Sequence, residues 1–184
     1  ADGRTMLGIP NFWNVVSNLP FFFVGSYGLF RCFSMWKLRS SGTMRLIPLI
    51  LGIGVFSVSF GSAYYHAAPS NATLIWDRLP MTLMFMALFS LVLFDFLGEK
   101  WGEIGLWVSV PFGIFSVVYW HFTEIAGQGD LRPYAFVQFF PMVAVIALVL
   151  FFPKRVKYGG LLLGIVGLYG VAKAAEHLDF EIFR

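Results

Sequence analysis

The stretch that decides the fold is FGSAYYHAAPSNATLIWDRLPMTLM, Phe60–Met84. It joins the end of one apolar run to the start of the next, with the turn residues Pro69-Ser70-Asn71 between them. Polar and charged side chains lie on both sides of that turn: Ser62, His66, Asp77 and Arg78. Such groups are costly at membrane depth unless they are paired or functional. The stretch therefore predicts two neighbouring membrane helices and a candidate functional site where they meet.

The composition of the whole chain is that of an integral membrane protein. Of 184 residues, 58% are hydrophobic and only 12% are charged, with a mean hydropathy of +0.75. A soluble domain carries about 25% charged residues. The excess of basic over acidic residues in such a membrane protein therefore does not indicate a nucleic-acid partner. The single cysteine, Cys32, excludes an intrachain disulfide and is best explained as a small apolar packing residue.

Six apolar runs are long enough to cross a membrane as helices, which takes about 20 residues each. Short connections of turn residues and charges separate them, and no linker divides the chain. We predict an all-α, multi-pass transmembrane helix bundle that forms one domain over residues 1–184. The predicted helices are Val15–Phe33, Leu46–Tyr65, Leu74–Phe96, Ile104–Phe122, Tyr134–Phe152 and Gly159–Glu176.

The last run carries a row of glycines. Small residues in a membrane helix are typical of close approach between helix backbones. We therefore expect packing against a neighbouring helix, not a phosphate-binding loop, at these positions. They are Gly159, Gly160, Gly164, Gly167 and Gly170.

The distribution of Lys and Arg predicts the orientation in the membrane. Eight of these residues fall on one side of the predicted bundle and five on the other. The side with eight is predicted to be cytoplasmic, so the N-terminus lies on the periplasmic or luminal side. That outer side also receives the polar ends of the runs: Ser62, His66, Asp77, His121, Glu124, Lys173, Glu176, His177 and Asp179.

Ser62 and His66 are four residues apart and therefore share one helix face. His66 can bind a metal through a ring nitrogen, and Asp77 or Ser62 can orient the ligand or a water. Simpler explanations stay open at this point. Ser62 can bond to its own helix backbone, His66 can lie at the lipid interface, and Asp77 can pair with Arg78 at a helix start.

The other titratable groups also have ordinary explanations. Lys173 and Glu176 are three residues apart and can neutralise each other on one helix face. His121 and Glu124 stand where a loop begins and fit an interfacial position.

Three longer motifs resemble the alkaline ceramidases. NFWNVVSNLP, residues 11–20, resembles the FWNT-x-SN opening of that family's first helix. Residues 61–66 and 76–81 resemble its S-x-x-x-H and W-D-(E/R)-x-P-M motifs. The likeness is greatest to the bacterial ceramidase-like proteins of the wider CREST hydrolase group, whose sixth helix resembles residues 169–179. The resemblance covers most of the chain.

This resemblance implies a seven-helix bundle that holds zinc near one membrane face and hydrolyses the amide bond of a lipid such as ceramide. By position, it implies that His66 is a zinc ligand. Ser62 is then a metal-site or oxyanion partner, and Asp77 is the acid or base that orients the attacking water. Secondary candidates are Lys173, Glu176, His177 and Asp179.

Two features depart from the family pattern. The family's H-x-x-x-H pair lies on a seventh helix, whereas Lys173-x-x-x-His177 ends the sixth run, so we expect that pair beyond Arg184 or missing from this member. These 184 residues alone are then expected to bind zinc weakly or not at all. Asn11 replaces a family glutamate and only Asp2 is acidic nearby, so calcium binding is not expected.

Two hypotheses about function follow. The first is a zinc-dependent membrane amidohydrolase that acts on a membrane lipid of the ceramide type. The alternative is a non-catalytic, ceramidase-like subunit of a larger membrane complex. A carrier for protons or small solutes ranks third, because the charges gather at one face instead of lining a path across the membrane.

Overall fold

A computed structural model describes residues 3–36, 42–152 and 159–182, without the side chains of Met44, Glu176, His177 and residues 179–182. These residues form one short and six long helices, which confirms the predicted all-α bundle. The helices are α1 (Phe12–Val16), α2 (Leu19–Ser34), α3 (Gly42–Ala67), α4 (Asn71–Leu97), α5 (Glu99–Ile125), α6 (Arg132–Phe151) and α7 (Gly159–Ile182).

Four of the six long helices are long and apolar enough to span a membrane. The qualifying segments are Arg45–Ala67, Asn71–Leu97, Glu99–Ile125 and Arg132–Phe151. Among the described residues, α2 has 16 residues and α7 contributes a shorter apolar segment, Gly159–Ala175. The chain is an integral membrane protein. Its predicted orientation stays a prediction, and five of the eight residues on the basic side, within 37–41 and 153–158, lie outside the described residues.

Several predicted helix boundaries were wrong, and two of them have a clear physical reason. The first run divides at Ser17-Asn18, because Pro20 lies in the first turn of α2, where its missing N–H costs nothing. The fourth helix begins at Glu99, five residues earlier than predicted, because Gly98 alone makes the turn with a φ of 100°. Glu99 then stands in the first turn, where a carboxylate suits the positive end of the helix dipole.

The turn between α3 and α4 is fixed by a capping box. The Ser70 hydroxyl accepts a hydrogen bond from the Thr73 backbone N–H at 3.1 Å, and the Thr73 hydroxyl accepts one from the Ser70 N–H at 3.0 Å. Two donors at the start of α4 are thereby satisfied. This turn holds the ends of α3 and α4 together, so that Ser62 and Asp77 lie at similar depth.

Helix α4 is the centre of the bundle and packs against α3, α5 and α6, while α2 covers the other side of α3 and α7 packs on α6. A buried cluster of Phe85, Met86, Val137 and Met142 joins α4 to α6. Val166 and Tyr169 of α7 pack against this cluster. Their contacts attach α7 to the bundle by its apolar side chains.

The predicted role of the α7 glycines was wrong at four of the five positions. A methyl group added at Gly160, Gly164, Gly167 or Gly170 would meet no atom within 4 Å. The larger side chains around Val166 occupy the packed face of α7, so these glycines lie on the open one. Close backbone approach occurs instead on α3, where Gly54 lies against the backbone of Met84 and Gly61 against that of Trp76.

Candidate functional site

One cavity, of about 710 Å³, brings together five of the residues that the sequence singled out: Ser62, His66, Asp77, Arg78 and Lys173. Its walls come from the start of α2 and α6, the ends of α3 and α7, and the first turns of α4. The polar and charged groups in the wall are Asn18, Ser62, Tyr65, His66, Asp77, Arg78, Tyr134, Gln138 and Lys173. Its volume is in the range of small-molecule sites, about 300–1,000 Å³.

Ser62 and Asp77 are in direct contact across the α3–α4 boundary. Ser62 is 8% exposed, and its side chain interacts with the Asp77 carboxylate. Asp77 also interacts electrostatically with His66. The sequence left open whether Ser62 bonds to its own helix, and the structure gives it a partner on another helix.

Two cations act on the same carboxylate. Arg78 follows Asp77 on α4, and Lys173 reaches the cavity from α7. Both interact electrostatically with Asp77. These positive charges also favour any negative charge that a ligand brings into the cavity.

The geometry of α3 against α4 explains this arrangement. Gly61 has no side chain, and a Cβ there would collide with the Trp76 carbonyl oxygen. Pro80, one helical turn further along α4, has no N–H to donate to that carbonyl. The backbones therefore approach closely at the residues that directly precede Ser62 and Asp77, and the two polar side chains meet.

The Arg78 guanidinium lies against two aromatic rings. Its guanidinium carbon is 4.0 Å from the centroid of the Trp120 ring on α5 and 4.8 Å from that of Tyr134 on α6. Both rings are buried, with exposures of 2% and 7%. These cation–π contacts hold the guanidinium in place at the cavity wall.

The segment before α2 is attached to the site by one specific hydrogen bond. The Asn11 side-chain amide donates to the backbone carbonyl of His66 at 2.8 Å. Asn11 has a positive φ of 48°, a conformation that asparagine adopts more readily than most residues. The bond holds α1 against the end of α3, next to His66.

His121 and Glu124, which the sequence also placed on the outer side, are not among the cavity-lining residues. His121 contacts the rings of its neighbours Trp120 and Phe122. Glu124 accepts a hydrogen bond of 2.6 Å from the side chain of Asn71 and so links the end of α5 to the start of α4. Their interfacial interpretation agrees with these positions.

Of the secondary candidates, only Lys173 has a described side chain. It lines the cavity, as expected from its place near the end of the sixth run. The side chains of Glu176, His177 and Asp179 lie outside the described residues. Their roles, like the catalytic and metal-binding roles of Ser62, His66 and Asp77, stay predictions.

Sequence reasoning missed several polar residues of the cavity. Gln138 is 6% exposed within an otherwise apolar helix, and Tyr134, one turn earlier, shares its face. A polar side chain within an apolar membrane segment indicates a functional site, and this rule could have identified Gln138 from the sequence. Asn18 is also 6% exposed and donates to the Asn14 carbonyl at 2.8 Å, which holds the break between α1 and α2.

The described residues fit a zinc ion only in part. His66 and Asp77 line the cavity and are both zinc-binding residue types. Catalytic zinc sites usually have three protein ligands, and no group of three His, Cys, Asp or Glu side chains occurs in the described part of the chain. A complete ligand set would need side chains outside that part.

Apolar side chains form the rest of the cavity. Phe21, Val58, Leu74, Met81 and Leu131 contribute to its wall. Phe21 and Leu131 are more than a third exposed at the bundle surface, so the apolar lining continues to the outside of the bundle. The site therefore combines a small charged centre with an apolar approach from the bundle surface.

Comparison with known proteins identifies the family. The sequence model of the Ceramidase family matches residues 6–169, which include every helix from α1 to α6 and the first part of α7. Neither the curated proteins nor the solved structures gave a significant match. Since the matched region covers most of the chain and contains almost the whole cavity wall, this ceramidase-like membrane hydrolase belongs to the ceramidase family.

Proposed function

We propose that the protein is a zinc-dependent amidohydrolase that cleaves the amide bond of a ceramide-type membrane lipid in this cavity. The observation that carries the proposal is that Ser62, Asp77 and His66 lie together in the wall of one cavity. The attack of water on an amide needs groups that donate and accept protons. This end of the apolar cavity offers a hydroxyl, a carboxylate and an imidazole.

Each residue has a role that follows from its contacts. Asp77 is the acid or base that takes a proton from the attacking water and returns it to the leaving amine. Ser62 interacts with the carboxylate and keeps it oriented, and its hydroxyl can donate to the oxygen of the carbonyl under attack. Lys173 and Arg78 stabilise the negative charge that develops in the cavity.

Zinc is proposed from the family resemblance and from the partial ligand set. His66 would supply one ligand and Asp77 a second or an orienting contact. When bound, the ion would polarise the amide carbonyl and make water more acidic. The apolar wall would hold the lipid chains and exclude bulk water from the reacting amide.

The test is hydrolysis of a short-chain ceramide by purified protein in detergent, with a matched control for each variant. Ser62→Ala is compared with Ser59→Ala, whose hydroxyl bonds only to the Phe56 carbonyl, at 2.6 Å. Asp77→Asn is compared with Asp95→Asn, an exposed carboxylate on the same helix. We expect loss of about 10²–10⁴-fold in kcat for Asp77→Asn. Equal rates within each pair would contradict the proposal and favour a non-catalytic role.

A further inference from the structure

Arg78 has a more specific environment than general charge stabilisation requires. Its guanidinium contacts the buried rings of Trp120 and Tyr134 at 4.0 and 4.8 Å. Ring contacts of this kind fix the position of a guanidinium without using its N–H groups, which lie in its plane. The residue lines the cavity wall, so a fixed cationic donor is presented beside the reacting centre.

The hydrogen-bonding capacity of this donor is not satisfied by the described side chains. Nη1 of Arg78 is buried and has no hydrogen-bond partner in residues 3–36, 42–152 and 159–182. Asp77 and Glu124 interact with Arg78 electrostatically, and Glu124 accepts a hydrogen bond from the Asn71 side chain instead. A buried cationic donor without an acceptor is costly, which favours a ligand that supplies one.

Resting on the proposed function, we propose that Arg78 binds an oxyanion at the polar end of the substrate, so that the preferred substrate is an acidic lipid amide. A guanidinium fork matches the geometry of phosphate and carboxylate groups and can bind either one through two N–H groups. Lys173 of α7 adds a second positive charge to the cavity wall. Arg78 is therefore a specificity-determining residue for the lipid headgroup.

The test measures binding, independently of turnover, with the full chain in detergent. Three probes share one acyl chain: a neutral short-chain ceramide, the 1-phosphate of that ceramide, and an N-acyl amino acid. We expect the wild type to bind at least one acidic probe about 10–100-fold more tightly than the neutral one. Whether phosphate or carboxylate is preferred identifies the headgroup.

Variants locate the preference at Arg78. Arg78→Gln should bind all three probes with nearly equal affinity, and Arg78→Lys should keep only part of the preference, since it retains the charge and loses the fork. The matched control is Arg132→Gln, an exposed arginine that pairs with Asp130 and does not line this cavity. It should bind like the wild type.

The outcomes separate this proposal from the one on which it rests. Equal wild-type affinity for neutral and acidic probes overturns it, whether or not the Arg78 variants fold. Arg78-dependent binding without hydrolysis supports it and contradicts the amidohydrolase. Hydrolysis of neutral ceramide with no preference for acidic probes supports the amidohydrolase and contradicts the proposal about Arg78. If inorganic phosphate alone binds as tightly as the lipid phosphate, the site takes a free anion and the lipid proposal is wrong.

Discussion

Gly61 lies directly against the backbone carbonyl of Trp76, with no room for a side chain between them. This contact sets the distance between α3 and α4 at the level of the cavity. Because Ser62 and Asp77 are the next residues on the two helices, it also brings these two side chains together in the cavity wall. Packing and the candidate chemistry are therefore coupled through one glycine.

Gly61→Ala is expected to lower both stability and activity. The added methyl group must push α3 away from α4, and overpacking of this kind costs about 1–3 kcal/mol. The control is Gly164→Ala on α7, where a methyl group meets nothing within 4 Å and should leave stability equal or slightly higher. Thermal unfolding in detergent measures both. Equal melting temperatures for wild type and Gly61→Ala would show that the close approach is not needed.

Asn11→Ala is expected to weaken the attachment of the N-terminal segment to the end of α3. The lost hydrogen bond to the His66 carbonyl is worth about 1 kcal/mol. Its control is Ser17→Ala, which removes an exposed hydroxyl bonded locally to the Asn14 carbonyl at 2.9 Å. Proteolysis near the N-terminus should be faster for Asn11→Ala alone. The same cleavage rate in both variants would mean that other contacts hold the segment.

We predict that the stability of the folded protein depends on pH through Asp130, in the loop between α5 and α6. Its hydrogen bonds with Arg132 hold the pKa of this carboxyl well below its usual range. Because the folded pKa is depressed, the stabilisation is fully present above the ordinary carboxyl pKa of about 4 and is lost as pH falls below it. The melting-temperature difference between wild type and Asp130→Asn should therefore shrink on acidification and, since Arg132 is exposed, also with added salt. A difference that grows on acidification would contradict this.

Much of the fold and of the site was predictable because the relevant signals are local. Apolar run length predicts the helices, and the spacing between Ser62 and His66 puts both on one face. The turn at Pro69-Ser70-Asn71 then brings Asp77 back to the same depth. Each of these inferences uses residues that are neighbours along one helix or across one turn.

The remaining features depend on contacts between distant segments. Nothing near Arg78 in the sequence indicates that Trp120 and Tyr134 contact its guanidinium, because those rings belong to two other helices. The α7 glycines illustrate the opposite error. Their pattern is typical of a packed helix face, yet whether any partner covers that face is not encoded in the pattern.

Zinc binding tests the metal part of the proposal separately. Since His66 and Asp77 are the zinc-binding residue types in the described cavity wall, we expect the 184-residue chain to hold zinc weakly and to lose it on dialysis. Metal analysis before and after dialysis checks this. His66→Ala should abolish the residual binding, whereas His121→Ala should not. A stoichiometric, tetrahedral zinc that survives His66→Ala would show that the ligands are assigned wrongly.

In the proposed reaction, water directed by Asp77 cleaves a lipid amide in this cavity. The most direct test is turnover of a set of neutral and acidic lipid amides by the zinc-supplemented protein in ¹⁸O-labelled water, followed by mass spectrometry of the released fatty acid. We predict that a single ¹⁸O atom enters the carboxylate and that product formation is lost in Asp77→Asn but retained in Asp95→Asn. Unlabelled product, or an unchanged rate in Asp77→Asn, would contradict the account.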